Sequence, residues 1–207
     1  MNNRPMNNLP KKCLLDTNVP ITANYRVNSG NPAGGNSDNL PDGLTKDCVR
    51  ACVEAVEHVV KNGGLVLDSG GEIFKEYLKN LSDTKHPHNL SRHGHPGVGN
   101  KFMMWVHKNR WNPKYVDVTT ISRNGDSYNE FPPHPGLSSF DNSDRKFVAT
   151  ANAHRDNPKP PILQATDSKW WGWKDALAAS GITAHFLCPE YIKNKYAKKM
   201  EPSKSGP

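Results

Sequence analysis

Acidic residues at the ends of apolar runs are the groups in this chain that could do chemistry. Asp16 directly follows Cys13-Leu14-Leu15, and Asp167 follows the stretch from Ile162-Leu163 to Ala165-Thr166. Asp144 stands three, four and seven residues before Phe147, Val148 and Ala151. That is the spacing of one helix face, so a carboxylate shares a face with core side chains, which is costly unless a cation or hydrogen-bond donors satisfy it. Glu72 and Glu76 are four apart and flank Ile73 and Tyr77, which puts both on one face of another helix. Four carboxylates converging from separate segments repel one another, and a site tolerates this when it binds a divalent cation. An oxygen-only donor set suits Mg²⁺ or Mn²⁺ rather than zinc. Such a cation activates water and neutralises charge developing on a phosphoryl group, so the expected chemistry is phosphodiester hydrolysis with no nucleophilic side chain. Each acid also has a plainer reading as a turn residue or helix cap: Asp16 before Thr17-Asn18, Asp144 at a helix start, Asp167 ahead of the helix carrying Trp173. Their joint placement, two at strand ends and one on an inward helix face, favours the site.

The elements that must position these acids follow from hydrophobic spacing. Cys13-Leu14-Leu15 is a short buried strand ending in a loop at Asp16–Pro20, and residues 26–43 have loop composition, with four glycines and two prolines. From Thr45, apolar positions Val49, Cys52, Val53, Val56, Val59 and Val60 recur at helical spacing, and Gly63 ends the helix. Leu65-Val66-Leu67 reads as a second buried strand. Gly70-Gly71 then leads into a helix whose apolar face holds Ile73, Phe74, Tyr77, Leu78 and Leu81. Between about residues 83 and 139 the pattern changes. His86, His88, His93 and His95 sit in a stretch without periodicity, a short helical run surrounds Phe102–His107, and Val116–Ile121 alternates like a strand with one wet face. Phe131-Pro132-Pro133-His134-Pro135-Gly136 is incompatible with regular structure. The last third returns to alternation: a helix at Phe147–Ala151, a strand at Ile162–Ala165, a helix through Trp173, Ala176 and Leu177 ended by Gly181, and a strand at Ile182–Phe186. The order β-α-β-α, insertion, α-β-α-β-α predicts an α/β fold, with a central parallel sheet between helical layers and ligands at the carboxyl ends of the strands. The domain expected spans 12–192, with flexible tails at 1–11 and 193–207.

Composition narrows the setting. The 207 residues fit one domain. A mean hydropathy of −0.76, with no apolar run near the ~20 residues a spanning helix needs, points to a soluble, cytoplasmic chain without a membrane partner. Lysine and arginine number 27 against 20 acids, a net charge of +7 that favours a polyanionic partner, although part of the excess lies in Lys193–Pro207. Cys13, Cys48, Cys52 and Cys188 form no CxxC pair, so buried, reduced thiols are expected.

The whole pattern resembles the PIN domain, a metal-dependent nuclease family with a Rossmann-like three-layer α/β/α fold. The likeness rests on Leu14-Leu15-Asp16-Thr17-Asn18, on Ile73-Phe74-Lys75-Glu76-Tyr77 and on Ser143-Asp144-Arg145-Lys146-Phe147. It continues in Thr166-Asp167-Ser168 before Trp170-Trp171, and in the close from Ala179-Ser180-Gly181-Ile182 to Phe186-Leu187-Cys188-Pro189. It covers about 13–82 and 140–190 and leaves the middle unexplained. The resemblance implies that Asp16, Glu76, Asp144 and Asp167 hold Mg²⁺ or Mn²⁺ and carry catalysis. Glu72 stands one turn from Glu76 on the same face, and Asp141 is placed to replace or assist Asp144. Asn18 and Thr166 would orient the carboxylates or water. The implied activity is an endonuclease, usually acting on single-stranded RNA and often a toxin restrained by an antitoxin. A DNA-directed nuclease and a non-catalytic nucleic-acid or protein-binding module are the alternatives.

Other groupings carry less. The His86-x-His88 and His93-x-His95 pairs lack an Asp or Cys at a familiar zinc spacing, and read as a solvated loop able to touch phosphates. Trp105, Trp111 and Tyr115, interleaved with Lys101, Lys108, Arg110 and Lys114, are open to two readings, base stacking beside a basic track or packing of the insertion. No glycine-rich phosphate cradle, nucleophile elbow or HExxH motif occurs, which sets aside P-loop enzymes, serine hydrolases and zinc proteases.

Overall fold

The computed structural model describes residues 9–25, 40–82 and 97–201, so the four histidines at 86–95 and the outermost ends of the chain lie outside the described residues. The first half runs β1 (Leu14–Leu15), α1 (Asn18–Ala23), α2 (Lys46–Asn62), β2 (Leu65–Asp68), α3 (Glu72–Leu81), α4 (Val98–Asn109) and β3 (Val116–Thr119). A small hairpin, β4 (Arg123–Asn124) and β5 (Ser127–Tyr128), follows. The second half runs α5 (Arg145–Ala153), β6 (Ile162–Gln164), α6 (Lys169–Ala179), β7 (Ala184–Phe186) and α7 (Pro189–Met200). The class is mixed α/β with parallel strand pairing.

β1 is two residues long, yet both leucines are fully buried, as an apolar run without alternation requires when a strand is covered on both faces. It pairs in parallel with β6, Leu14 opposite Ile162, and β6 pairs in parallel with β7. On the other side, β2 pairs in parallel with β3, Leu65 opposite Val116. A bridge at Cys13 joins the two ladders: its N–H donates to Gly64 O (3.0 Å), and Val66 N donates to Cys13 O (2.9 Å). The strands therefore lie in the order β3-β2-β1-β6-β7, and sequence order reverses beside β1, where open parallel sheets present ligand sites.

Local chemistry sets the boundaries of α2. Thr45 accepts from Cys48 N at its start, and Gly63 closes it at φ 75°, a left-handed value that disfavours side chains. At the next residue, Gly64, a Cβ would overlap the Lys11 carbonyl, so the entry to β2 requires glycine. α5 is buried from Lys146 through Ala151 without interruption, packed against β2, β5 and β6. A helix covered on every side has no wet face for a charged residue, so Lys146 must point inward.

Several expectations need correction. Asp16–Pro20 is not a loop: α1 begins at Asn18, and Pro20 sits in its first turn, where the missing N–H has no intrahelical acceptor to lose. Val116–Thr119, read as part of an insertion, extends the main parallel sheet, and α4 packs against α1, α2 and α3. One 3₁₀ turn, Pro135–Leu137, forms in the proline-rich stretch, with His134 Nδ1 accepting from Gly136 N (3.0 Å). The tail expected from 193 is helix α7 as far as Met200; Ile192 is fully buried and Tyr191 packs on the core. Cys48 and Cys188 form a disulfide with a Cα–Cα distance of 5.1 Å, whereas Cys13 and Cys52 are free and buried. Spacing rules could not find this pair, because its members are 140 residues apart. Among the described residues no helix is long and apolar enough to cross a membrane.

Candidate functional site: carboxylates at the sheet edge

Asp16 leaves β1 at the point where the sheet reverses, and its N–H still donates to Leu163 O of β6 (3.0 Å). The side chain is buried. Its Oδ1 accepts from Asn18 N (2.9 Å) and Asn18 Nδ2 (2.8 Å), so Asp16 serves the start of α1 as a turn residue, the N-cap itself being Thr17. Thr166 Oγ1 donates to Asn18 Oδ1 at 3.5 Å, which links the residues after β1 and β6 through one amide. Beneath them, the Tyr77 hydroxyl donates to Leu15 O.

Asp144 stands at the start of α5 and makes no side-chain cap bond to the helix. Its Oδ2 instead accepts from the indole N–H of fully buried Trp170 (3.1 Å), and its Oδ1 accepts from Ser143 Oγ (3.2 Å). Asp167 follows β6, and its Oδ1 accepts from Lys169 N (3.0 Å), an N-terminal contact of α6. Glu76 reaches the same edge from α3, with Oε1 accepting from Thr17 Oγ1 and Oε2 paired with Lys146 Nζ.

Electrostatics shows that these acids sense one another. Burial pushes the Asp16 carboxyl up to about 8, the Asp144 and Glu76 charges add to the shift, and the Asn18 donors oppose it. Asp144 is raised to about 6, first by burial and then by Asp167, with Asp141 and Glu76 contributing and the Trp170 hydrogen bond pulling down. Asp16, Glu76, Asp144 and Asp167 are thus brought together. Asp141 lies at the margin: Lys169 Nζ (2.7 Å) and the Ser143 donors hold it down at about 2.

Glu72 takes no part. Its carboxylate is bound by Lys75 (3.1 Å) and Arg123 (3.1 Å), with Lys75 the main cause of its lowered pKa. Two neighbours of the acids went unread in the sequence. Lys146 is 7% exposed, and a lysine is rarely so buried unless paired; the run of small and apolar residues around it in α5 was the available signal. Nothing in the spacing marks Trp170 as the donor to Asp144, 26 residues away.

The oxygen-rich donor set and the raised carboxyls fit a hard divalent cation, which would relieve the repulsion that burial intensifies. The fit is loose rather than a closed cage. Among the described residues, the set with three potential ligand atoms mutually within 4.8 Å is Cys48, Cys52 and Cys188, not the acids. No protein-family model, curated protein or solved structure matches the chain.

Proposed function

We propose that this protein is a metal-dependent endonuclease with a PIN-like three-layer α/β/α architecture, hydrolysing phosphodiester bonds in single-stranded RNA. The observation that carries the proposal is the convergence of Asp16, Glu76, Asp144 and Asp167 from four elements at the carboxyl edge, where Asp16 and Asp144 are held well above the ordinary carboxylate range. The net charge of +7 supports a polyanionic substrate, and the resemblance of the acid-bearing segments to that family supports RNA.

Asp16, Asp144 and Asp167 would hold Mg²⁺ or Mn²⁺, with Glu76 completing the set. Bound there, the cation supplies activation of water and neutralisation of phosphoryl charge. The chain's own residues prepare the ground. Asn18, itself bonded by Thr166, orients Asp16, and the Trp170 indole orients Asp144. Lys146 sets a fixed positive charge against Glu76, in a buried position where it would act on developing negative charge more strongly than in water. Lys169, anchored by Asp141, adds a cation at the margin that positions the strand.

The test is cleavage of labelled RNA and DNA single strands of one sequence, with Mn²⁺ or EDTA, by wild type and Asp144→Asn. Metal-dependent cutting of RNA that the substitution abolishes supports the proposal. Cutting of DNA alone transfers the activity to that substrate, and binding without cutting, unchanged by the substitution, leaves a nucleic-acid-binding module. Growth arrest on expression, relieved by Asp16→Asn, would place the enzyme among toxins that require an antitoxin.

A further inference from the structure

The three aromatic residues at 105, 111 and 115 were open in the sequence to packing or stacking, and the structure separates them. Trp105 lies parallel to Phe102 (ring centroids 6.3 Å, 19° between planes) and edge-on to Tyr115 (6.0 Å), and Trp105 and Tyr115 pack against the core. Trp111, just past α4, is 70% exposed. The Arg110 guanidinium lies 4.4 Å from the centre of the Phe74 ring and 5.1 Å from that of Trp111. His107 stands 5.9 Å from Phe74. Phe74, His107, Arg110 and Trp111, with Lys75 and the turn Ser69-Gly70-Gly71, line a hollow of about 350 Å³.

The hollow lies at the carboxyl end of the sheet, one strand over from the one that carries Asp16, and none of the four acids lines it. Asp68 to Gly71 continue the carboxyl end of β2, the strand beside β1 whose own end carries Asp16, and Lys75 directly precedes Glu76 on α3. Its cations are side chains rather than a helix terminus. The first amides of α3, at Glu72 and Ile73, already donate to Asp68 (both 2.8 Å). Lys75 is shared with Glu72, whereas Arg110 has no carboxylate within ion-pair distance among the described residues. An indole open to solvent beside a guanidinium without a counter-charge is complementary to a flat base carrying a phosphate.

We infer that this hollow is a nucleotide subsite, in which Trp111 stacks on one unpaired base of the substrate strand and Arg110 meets its phosphate. The inference rests on the phosphodiesterase reading and deepens it by giving the strand a second hold away from the acids. Strands too short to reach from the acids to Trp111 gain nothing from it.

The test is fluorescence anisotropy of labelled 12-nucleotide single strands with the full chain, in EDTA and again with Ca²⁺, for wild type, Trp111→Ala and Trp111→Phe. Trp111→Ala is expected to weaken binding about ten-fold and Trp111→Phe to retain most of it, with the alanine loss vanishing on a fully abasic strand. Thermal unfolding checks that the exposed position leaves the fold unchanged. Wild-type affinity in Trp111→Ala, an equal loss on the abasic strand, or no binding by wild type overturns the subsite. The cleavage assay is read separately: cutting with Trp111-independent binding removes the subsite and keeps the nuclease, and Trp111-dependent binding without cutting does the reverse.

Discussion

The indole N–H of Trp170 donates to Asp144 Oδ2 at 3.1 Å, across 26 residues of chain. Trp170 is fully buried and packs edge-on against Phe140, so the donor is held by the core, and Asp144 is held by the donor. Trp170→Phe keeps a ring in that space and removes the N–H alone. Cleavage is expected to fall by about ten-fold or more, as for lost partners that orient metal-binding groups. A variant cleaving at the wild-type rate would show that Asp144 needs no such support.

The raised carboxyls make metal-free stability depend on pH in a defined direction. In the unfolded chain Asp16 and Asp144 return to about 3.9, while folded they titrate near 8 and 6. Between about pH 4 and pH 8 the folded protein keeps protons that the unfolded chain has released, so these groups lower stability as pH rises. Asp16→Asn removes the largest share and can still accept from Asn18. Thermal unfolding in EDTA should therefore find the variant more stable than wild type by a margin that grows from pH 4.5 to pH 8. A constant or shrinking margin would contradict the burial argument.

Lys146 and Glu76 form a pair that neither leaves lightly, with side chains 9% and 21% exposed. Lys146→Met deprives a largely buried carboxylate of its cation and is expected to cost about 1–3 kcal/mol of stability. Adding Glu76→Gln should restore part of that loss. A double mutant cycle by urea unfolding measures the coupling, and additive effects would refute it.

The two candidate glutamates predict opposite results. Glu76→Gln should strongly reduce metal-dependent cleavage, because this carboxylate faces Asp16 and Asp144. Glu72→Gln should leave the rate nearly unchanged, since it breaks only bonds to Lys75 and Arg123 at the surface. Single-turnover rates on one RNA decide between them, and equal losses would mean that Glu72 serves the reaction as much as Glu76 does.

The disulfide closes a loop of 140 residues and ties the start of α7 to the first turn of α2. Cys48→Ser should lower stability by about 2–5 kcal/mol, and dithiothreitol should do the same to wild type but not to the variant. Identical melting of wild type with and without reductant would show that the bond contributes nothing in solution.

Much of the candidate site was legible because it is local. Asp16 and Asp167 follow apolar runs, and a strand end places the next residue at the sheet edge whatever its neighbours are. Asp144 lies in register with Phe147 and Val148, a spacing that points it toward the core, although it is the N-cap of α5 and the Trp170 indole is what holds it there. Glu72 and Glu76 could not be told apart on that basis, being one turn apart on a shared face. Arg123, 51 residues from Glu72, and Lys146, 70 residues from Glu76, separated them.

The same division runs through the fold. Helix α2 could be read from Thr45 to Gly63, because its cap, apolar spacing and stop all lie within its own residues. The pairing of β3 with β2, the docking of α7, the Cys48 to Cys188 bond and the Trp170 hold on Asp144 could not. Periodicity records which face of an element is dry, whereas the choice of partner for that face is made by packing between segments far apart in the chain. The sequence by itself determined most of the elements and the acids they carry, but not α1, the β4–β5 hairpin or the reach of α7; only the tertiary structure decided which cation, indole or thiol each one meets.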